Sequence, residues 1–227
     1  MTCPTSLELL EKKIIACRAC PRLVAWREKV GEIKRRAFVN ETYWAKPVPG
    51  FGDPAARVLV VGLAPGANGS NRTGRMFTGD ASGDFLYPAL HRAGFANQPR
   101  CVSMQDGLTL DRIYITAICR CVPPDNKPFP GEIANCAGFL KCELELLPQI
   151  EGVVALGKIA YENIKKLLYT PEEEKSSHFG HAVFINGKGE RPWLLASYHP
   201  SRQNTQTGRL TVQMFDQIWE VVNRLLK

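Results

Sequence analysis

The sequence predicts an α/β protein built on a mostly parallel sheet with helices on both faces. Three observations lead there. The run Val58-Leu59-Val60-Val61 has no polar alternation and reads as a strand buried on both faces. Three further short apolar runs follow, separated by helical patterns, as in strand–helix–strand units. Three of the loops near strand ends, 64–84, 119–130 and 198–209, are long and polar, and such sheets gather their chemistry at the carboxyl ends of strands.

The elements come in order. Leu7, Leu10, Ile14 and Ile15 have helical spacing over Leu7–Cys17. Pro47 to Pro54 is a rigid, turn-rich connector. Arg57–Leu63 is the first strand, and residues 82–93 read as a helix. Arg112–Ile118 is the second strand, supported by Ile113, Tyr114 and Ile115. Pro130 opens a helix running to Leu147, at a first-turn position where proline is tolerated. Val153–Leu156 is the third strand, closed by Gly157 and followed by a helix to Leu168. Trp193–Ser197 is the fourth strand. Met214, Phe215, Ile218, Val221, Val222 and Leu225 form the apolar stripe of a last helix.

The 227 residues suffice for one domain with a sizeable core, and no repeat, low-complexity tract or long linker divides them. A single domain over residues 1–227 is expected. No run is long and apolar enough to span a membrane, and Met1 to Glu11 does not read as a signal peptide. A cytoplasmic protein is expected, with its eight cysteines kept as thiols or metal ligands rather than disulfides. The net charge is +7, and residues 1–46 hold ten Lys/Arg against five Glu. A basic face of this kind suits a phosphate polymer, although it also reads as an ordinary solvated surface.

Four cysteines stand out: Cys17-x2-Cys20 near the start, then Cys121 and Cys136 a hundred residues later. The spacing suggests a metal or iron–sulfur centre that clamps the N-terminus onto the middle of the fold. Four thiols so spaced also suit zinc. Strand alternation would point Cys119 and Cys121 the same way, so either could be the third ligand.

The loop after the first strand is rich in small residues, which let backbone approach a ligand closely. It has neither the dinucleotide glycine pattern nor a P-loop lysine. Phe77 reads as core or as a stacking face. Asp80 and Asp84 read as helix caps or as functional carboxylates. The third loop, Ser197-Tyr198-His199-Pro200-Ser201-Arg202-Gln203-Asn204-Thr205, places a histidine straight after a buried strand. The residues behind it are phosphate- and groove-contacting types.

Gly62-Leu63-Ala64-Pro65-Gly66 with Phe77-Thr78-Gly79-Asp80, the Cys17/Cys20/Cys121/Cys136 set, and Ser197-Tyr198-His199-Pro200-Ser201 together resemble the iron–sulfur uracil-DNA glycosylases of bacteria and archaea. The match is closest to the family 5 branch and covers the chain from Cys17 to the last helix. The resemblance implies a three-layer α/β/α sandwich with a central four-stranded parallel sheet. It implies a [4Fe–4S] cluster on those four cysteines, with Cys121 chosen because Cys-x-Pro-Pro matches the family pattern. It implies removal of uracil, and in this branch other deaminated bases such as hypoxanthine, from double- or single-stranded DNA by a monomeric enzyme of base excision repair.

The chain departs from the wider superfamily in two places. The water-handling site of the first motif is apolar here, Gly62-Leu63-Ala64-Pro65, and the base-reading Asn of the family 4 branch is replaced by Thr116-Ala117. The polar work is therefore expected of Asp80 and Asn126, with His199 donating a hydrogen bond to the leaving base. Gly62, Ala64, Pro65, Gly66 and Phe77 are expected to hold the base, and Ser201, Arg202, Gln203 and Asn204 the DNA. Two other readings compete: a non-catalytic metal-bearing module that only binds nucleic acid, and a nucleosidase acting on free nucleosides.

Overall fold

The structure, a computed structural model, describes residues 2–175, 177–189 and 191–227. The elements in chain order are α1 (Leu7–Ile15), α2 (Pro21–Ile33), β1 (Phe51–Gly52), β2 (Val58–Gly62), α3 (Ser70–Thr73), α4 (Gly83–Arg92), β3 (Ile113–Ala117), α5 (Pro130–Leu146), β4 (Gly152–Leu156), α6 (Lys158–Leu168), α7 (Pro171–Lys175), β5 (Phe184–Ile185), β6 (Trp193–Ser197), α8 (Arg202–Gln206) and α9 (Val212–Leu225). Every helix and strand foreseen from the sequence is present within a residue or two of its expected limits.

The sheet runs β1-β3-β2-β4-β6-β5 among the described residues. Its four central strands are parallel, as expected. The expected four-stranded sheet is in fact six-stranded and mixed, because β1 and β5 each add two antiparallel residues at the edges. Edge strands this short offer little for another chain to pair with. They are also too short to produce a period-2 pattern in the sequence.

Alternation along the central strands divides the core into two layers. Val58 and Val60 of β2 pack with Leu86 and Leu90 of α4 and with Phe215 and Trp219 of α9. Leu59 and Val61 point the other way, toward Leu140 of α5 and Tyr161 and Ile164 of α6. This is the three-layer sandwich. It explains the unbroken apolar run, since both faces of β2 are buried.

A third, smaller core joins Leu10 and Ile14 of α1 to Phe139 and Cys142 of α5. Here one expectation fails. Cys3 and Cys142 are joined in a disulfide, with their Cα atoms 5.2 Å apart. Compartment gave no hint of it; the packing of α1 on α5 brings the two sulfurs together. The link spans 139 residues of sequence, so its removal frees a long loop in the unfolded chain. Cys3→Ser is expected to lower unfolding stability by about 2–5 kcal/mol. Urea melts of the variant and of the oxidised wild type check this, and coincident curves would show that the link contributes nothing. No helix among the described residues is long and apolar enough to cross a membrane.

Candidate active site and cysteine cavity

Strand order reverses between β2 and β4, and a crevice opens outside the carboxyl ends of strands at such a switch point. An open cleft of about 710 Å³ lies there. Its walls include Asp80, Phe77 and Ala64 from the loop after β2, Asn126 from the loop after β3, and His199 and Arg202 from the loop after β6. The three polar residues singled out from sequence, Asp80, Asn126 and His199, therefore meet at one cavity.

Asp80 stands just before α4 and caps it. Its Oδ1 accepts from the backbone N–H of Ser82 at 3.0 Å and of Gly83 at 3.3 Å. Asp80 thus both caps α4 and lines the cleft, while Asp84, inside the first turn of α4, lines the cleft without capping. Asp80 Oδ2 faces the loop glycines: a methyl group at Gly69 would lie 2.0 Å from it. Burial raises the Asp80 carboxyl above its ordinary range, against the lowering pull of the two N–H donors.

His199 leaves β6 and turns into the cleft wall. Its ring stacks on Phe77, with centroids 6.0 Å apart and planes 30° apart. Burial lowers its pKa to about 4, so the ring is neutral at pH 7. Gly157, at the end of neighbouring β4, has φ 99°, and even a Cβ there would come within 3.2 Å of His199 Cβ. The backbone beneath His199 is pinned twice. The N–H of Tyr198 donates to His181 Nδ1 at 3.3 Å, and Asn204 Nδ2 donates to the His199 carbonyl at 2.9 Å.

Asn126 is exposed on the rim, on a short turn, Pro124–Asn126. Both Asp125 and Asn126 have positive φ, 53° and 56°, the left-handed region that Asn and Asp tolerate best. The turn is clamped from α2. Arg22 pairs with Glu132 through Nε at 2.8 Å and Nη2 at 2.7 Å, donates to the Lys127 carbonyl at 3.1 Å, and lies 3.7 Å from the centre of the Phe129 ring.

The remaining expected site residues divide. Ala64, Gly66, Phe77, Ser201 and Arg202 line the cleft. Gly62 ends β2 beneath the Phe77 ring, and Pro65 is buried behind the cleft wall; neither faces the cavity. Gln203 is exposed away from the wall, and the Asn204 amide turns inward to the His199 carbonyl because it follows Ser201, the cap of α8. Sequence reasoning missed Arg35 and Phe38, which reach the cleft from a three-residue turn at 36–38. It also missed Arg72. That side chain donates to the Asn68 carbonyl at 2.8 Å and the Gly79 carbonyl at 3.1 Å while stacking 4.0 Å over Phe38. The basic N-terminal segment held the only signal for Arg35.

Cys17, Cys20, Cys121 and Cys136 line a second, small cavity with Leu23 and Phe139. Cys17 follows α1, Cys20 immediately precedes α2, Cys121 follows β3, and Cys136 is on α5. Cys119 does not line this cavity; it packs in the layer under α5 and α6, where its thiol hydrogen-bonds that of Cys136. The alternation argument fails because β3 ends at Ala117, before either cysteine. Among the described residues the one group of three or more potential ligand atoms within 4.8 Å of one another is Cys3, Cys142 and Glu145. Two of those sulfurs are spent in the disulfide, so that group is not a metal site.

Residues 49–223 match the family model described as the uracil DNA glycosylase superfamily. A type-5 uracil-DNA glycosylase of Thermus thermophilus is 55% identical over 219 residues, 96% of this chain and 97% of that protein. A type-5 uracil-DNA glycosylase of Pyrobaculum aerophilum is 44% identical over 206 residues, 91% of this chain and 87% of that protein. A type-4 uracil-DNA glycosylase of Sulfurisphaera tokodaii is 30% identical over 202 residues, 86% of this chain and 74% of that protein.

Proposed function

The chain belongs to the uracil-DNA glycosylase superfamily, in its type-5 branch, and from that membership we propose how its cleft excises uracil from DNA. The reaction hydrolyses the N-glycosyl bond between the base and deoxyribose. Cationic character develops at the sugar and negative charge on the leaving base. A base in a duplex must first be flipped out, at a cost of a few kcal/mol. Phe77, on the cleft wall, offsets part of that cost, since stacking a base on an aromatic ring contributes roughly 1–3 kcal/mol.

His199, neutral at pH 7, donates an N–H to the base oxygen as charge builds there. Asp80 either orients the attacking water or stabilises the sugar cation, with its Oδ2 free of the cap contacts that hold Oδ1. Asn126, with a donor and an acceptor, holds the base or the water from the rim. Arg202, exposed at the mouth, meets phosphate. The wall at Leu63 and Ala64 carries no side-chain amide to reject other bases, which supports activity on other deaminated bases such as hypoxanthine.

The observation that carries this reading is that Asp80 and His199 converge on one cleft with Asn126 at its rim. A module that only binds nucleic acid does not require a carboxylate and an imidazole so arranged. The test is alkali-sensitive strand breakage after incubation with a uracil-containing duplex. An intact strand sinks the reading, and release from free deoxyuridine at equal rate would point to a nucleosidase.

The pH dependence follows with a definite sign. His199 takes up a proton near pH 6.5 when unfolded but only near 4 when folded. The unfolded chain therefore binds more protons between those values, and this contribution to stability is present above 6.5 and lost as pH falls toward 4. Single-turnover base release is expected to show no inflection at an ordinary histidine pKa. The acid limb set by His199 lies lower, near pH 4, where its ring takes up a proton. A fall in rate centred near 6.5 would assign a different group.

The four cysteines suit a [4Fe–4S] cluster better than zinc. Zinc–sulfur bonds of about 2.3 Å in a tetrahedron bring all sulfurs to about 3.8 Å of one another. Here no three of these four sulfurs lie within 4.8 Å of one another. A cluster held there supplies an inorganic anchor; hydrolysis of a glycosidic bond needs no electron. The chain's own residues then link that anchor to the cleft, since Cys20 immediately precedes the helix from which Arg22 clamps the Asn126 turn.

A further inference from the structure

Arg27 lies on α2, 2% exposed, among the largest fully buried side chains. A buried guanidinium demands a partner, since an unpaired charge in the interior costs several kcal/mol. The other two fully buried or nearly buried arginines have one. Arg120 pairs with Glu143 at 2.5 Å and Arg75 with Asp106 at 2.6 Å. Arg27 does not: among the described residues its only carboxylate within 4.0 Å is Glu28, at 3.9 Å. That carboxylate is 40% exposed and already holds Arg18 at 2.6 Å. Instead Arg27 Nη1 donates to the Cys17 carbonyl at 3.2 Å and to Cys121 Sγ at 3.0 Å. Its Nε is buried without a hydrogen-bond partner.

A neutral thiol is a weak acceptor and a poor counter-ion. A thiolate bound to iron carries the negative charge this cation lacks. We propose that Arg27 is the counter-ion of the cluster, holding the Cys121 thiolate and tying it to the Cys17 arm through the same guanidinium. This rests on the [4Fe–4S] reading above. It goes beyond it by giving a specific buried residue control over how tightly the cluster is kept and how readily it is reduced. Partners behind metal ligands act in this way, and losing one commonly costs about 10–100-fold in retention. A positive charge beside the cluster also favours its more reduced, more negative state, so removing it moves the reduction potential to more negative values.

The test uses the full chain purified with its native cofactor. Iron and acid-labile sulfide per chain, decay of the brown absorbance under a chelator, and the midpoint potential are measured for wild type, Arg27→Met and Arg27→Lys. Met keeps the length of the stem and removes charge and donors; Lys keeps charge and loses the fork. Arg27→Met is expected to lose its cluster about 10–100-fold faster, with a more negative potential. Arg27→Lys is expected to lose it several-fold faster with a potential near that of wild type. Wild-type decay and potential in Arg27→Met overturn the proposal while leaving the cluster reading intact. Should Arg27→Met fail to fold, wild-type decay in Arg27→Lys overturns it equally. A wild-type chain without iron and sulfide overturns the cluster reading itself, and the proposal with it.

Discussion

His199→Ala is expected to slow uracil release by about 10²–10³-fold without unfolding the chain, the usual effect of removing one preorganised donor to a developing anion. The ring contributes little to the core beyond its stack on Phe77, so stability should change little. Asp80→Asn is expected to slow release by about 10²–10⁴-fold. Asn is the better variant than Ala here. Its carbonyl oxygen can still accept from Ser82 and Gly83, as Oδ1 of Asp80 does, so the cap of α4 survives and only the charge is lost. Asp80→Ala would add the loss of a cap, about 1 kcal/mol, and confuse the two effects. Single-turnover release from a uracil duplex, with thermal melts of each variant, measures both. If both variants kept the wild-type rate, the chemistry would have to lie outside this cleft.

These residues were visible in the sequence for a reason. Each follows a strand buried on both faces, and such strands announce themselves as unbroken apolar runs. Once β2, β3 and β6 are placed, their following loops must share one end of the sheet, so Asp80, Asn126 and His199 converge by topology. Features that depend on long-range packing were not visible. Helix α2 was missed because its inward face is Leu23, Val24 and Arg27, and an arginine there reads as surface. The Cys3–Cys142 link depends on how α1 docks on α5, which no local pattern encodes. Arg35 and Phe38 reach the cleft from a turn with no periodicity at all. The choice of Asp80 over Asp84 as cap turned on where α4 begins: Asp84 already lies inside its first turn. Pro65 and Asn204 stand in loops that reach the cleft, but Pro65 is buried and the Asn204 amide turns to the His199 carbonyl, a placement that loop position alone does not reveal.

Glu143→Ala is expected to cost about 3–5 kcal/mol of stability, the range for breaking a buried pair and leaving one charge alone. Glu143 and Arg120 are each 1% exposed, and Glu143 Oε2 accepts from Arg120 at 2.5 Å and from the Thr116 hydroxyl at 2.8 Å. Arg120, 1% exposed, would be left without its carboxylate partner. The site matters because of where it sits. Arg120 precedes Cys121, and Glu143 lies two helical turns beyond Cys136 on α5, so this pair fastens together the two chain segments that carry half of the cysteine cavity. The double variant Arg120→Met/Glu143→Leu is expected to recover most of the loss, because removing both charges removes the desolvation cost together with the attraction. The two substitutions should therefore be far from additive, as expected for residues in contact. Urea unfolding of the two singles and the double measures this. A Glu143→Ala chain as stable as wild type would mean that Arg120 finds another counter-charge. On the proposed cluster reading, that counter-charge would come from the cysteines of the cavity that Arg120 itself lines.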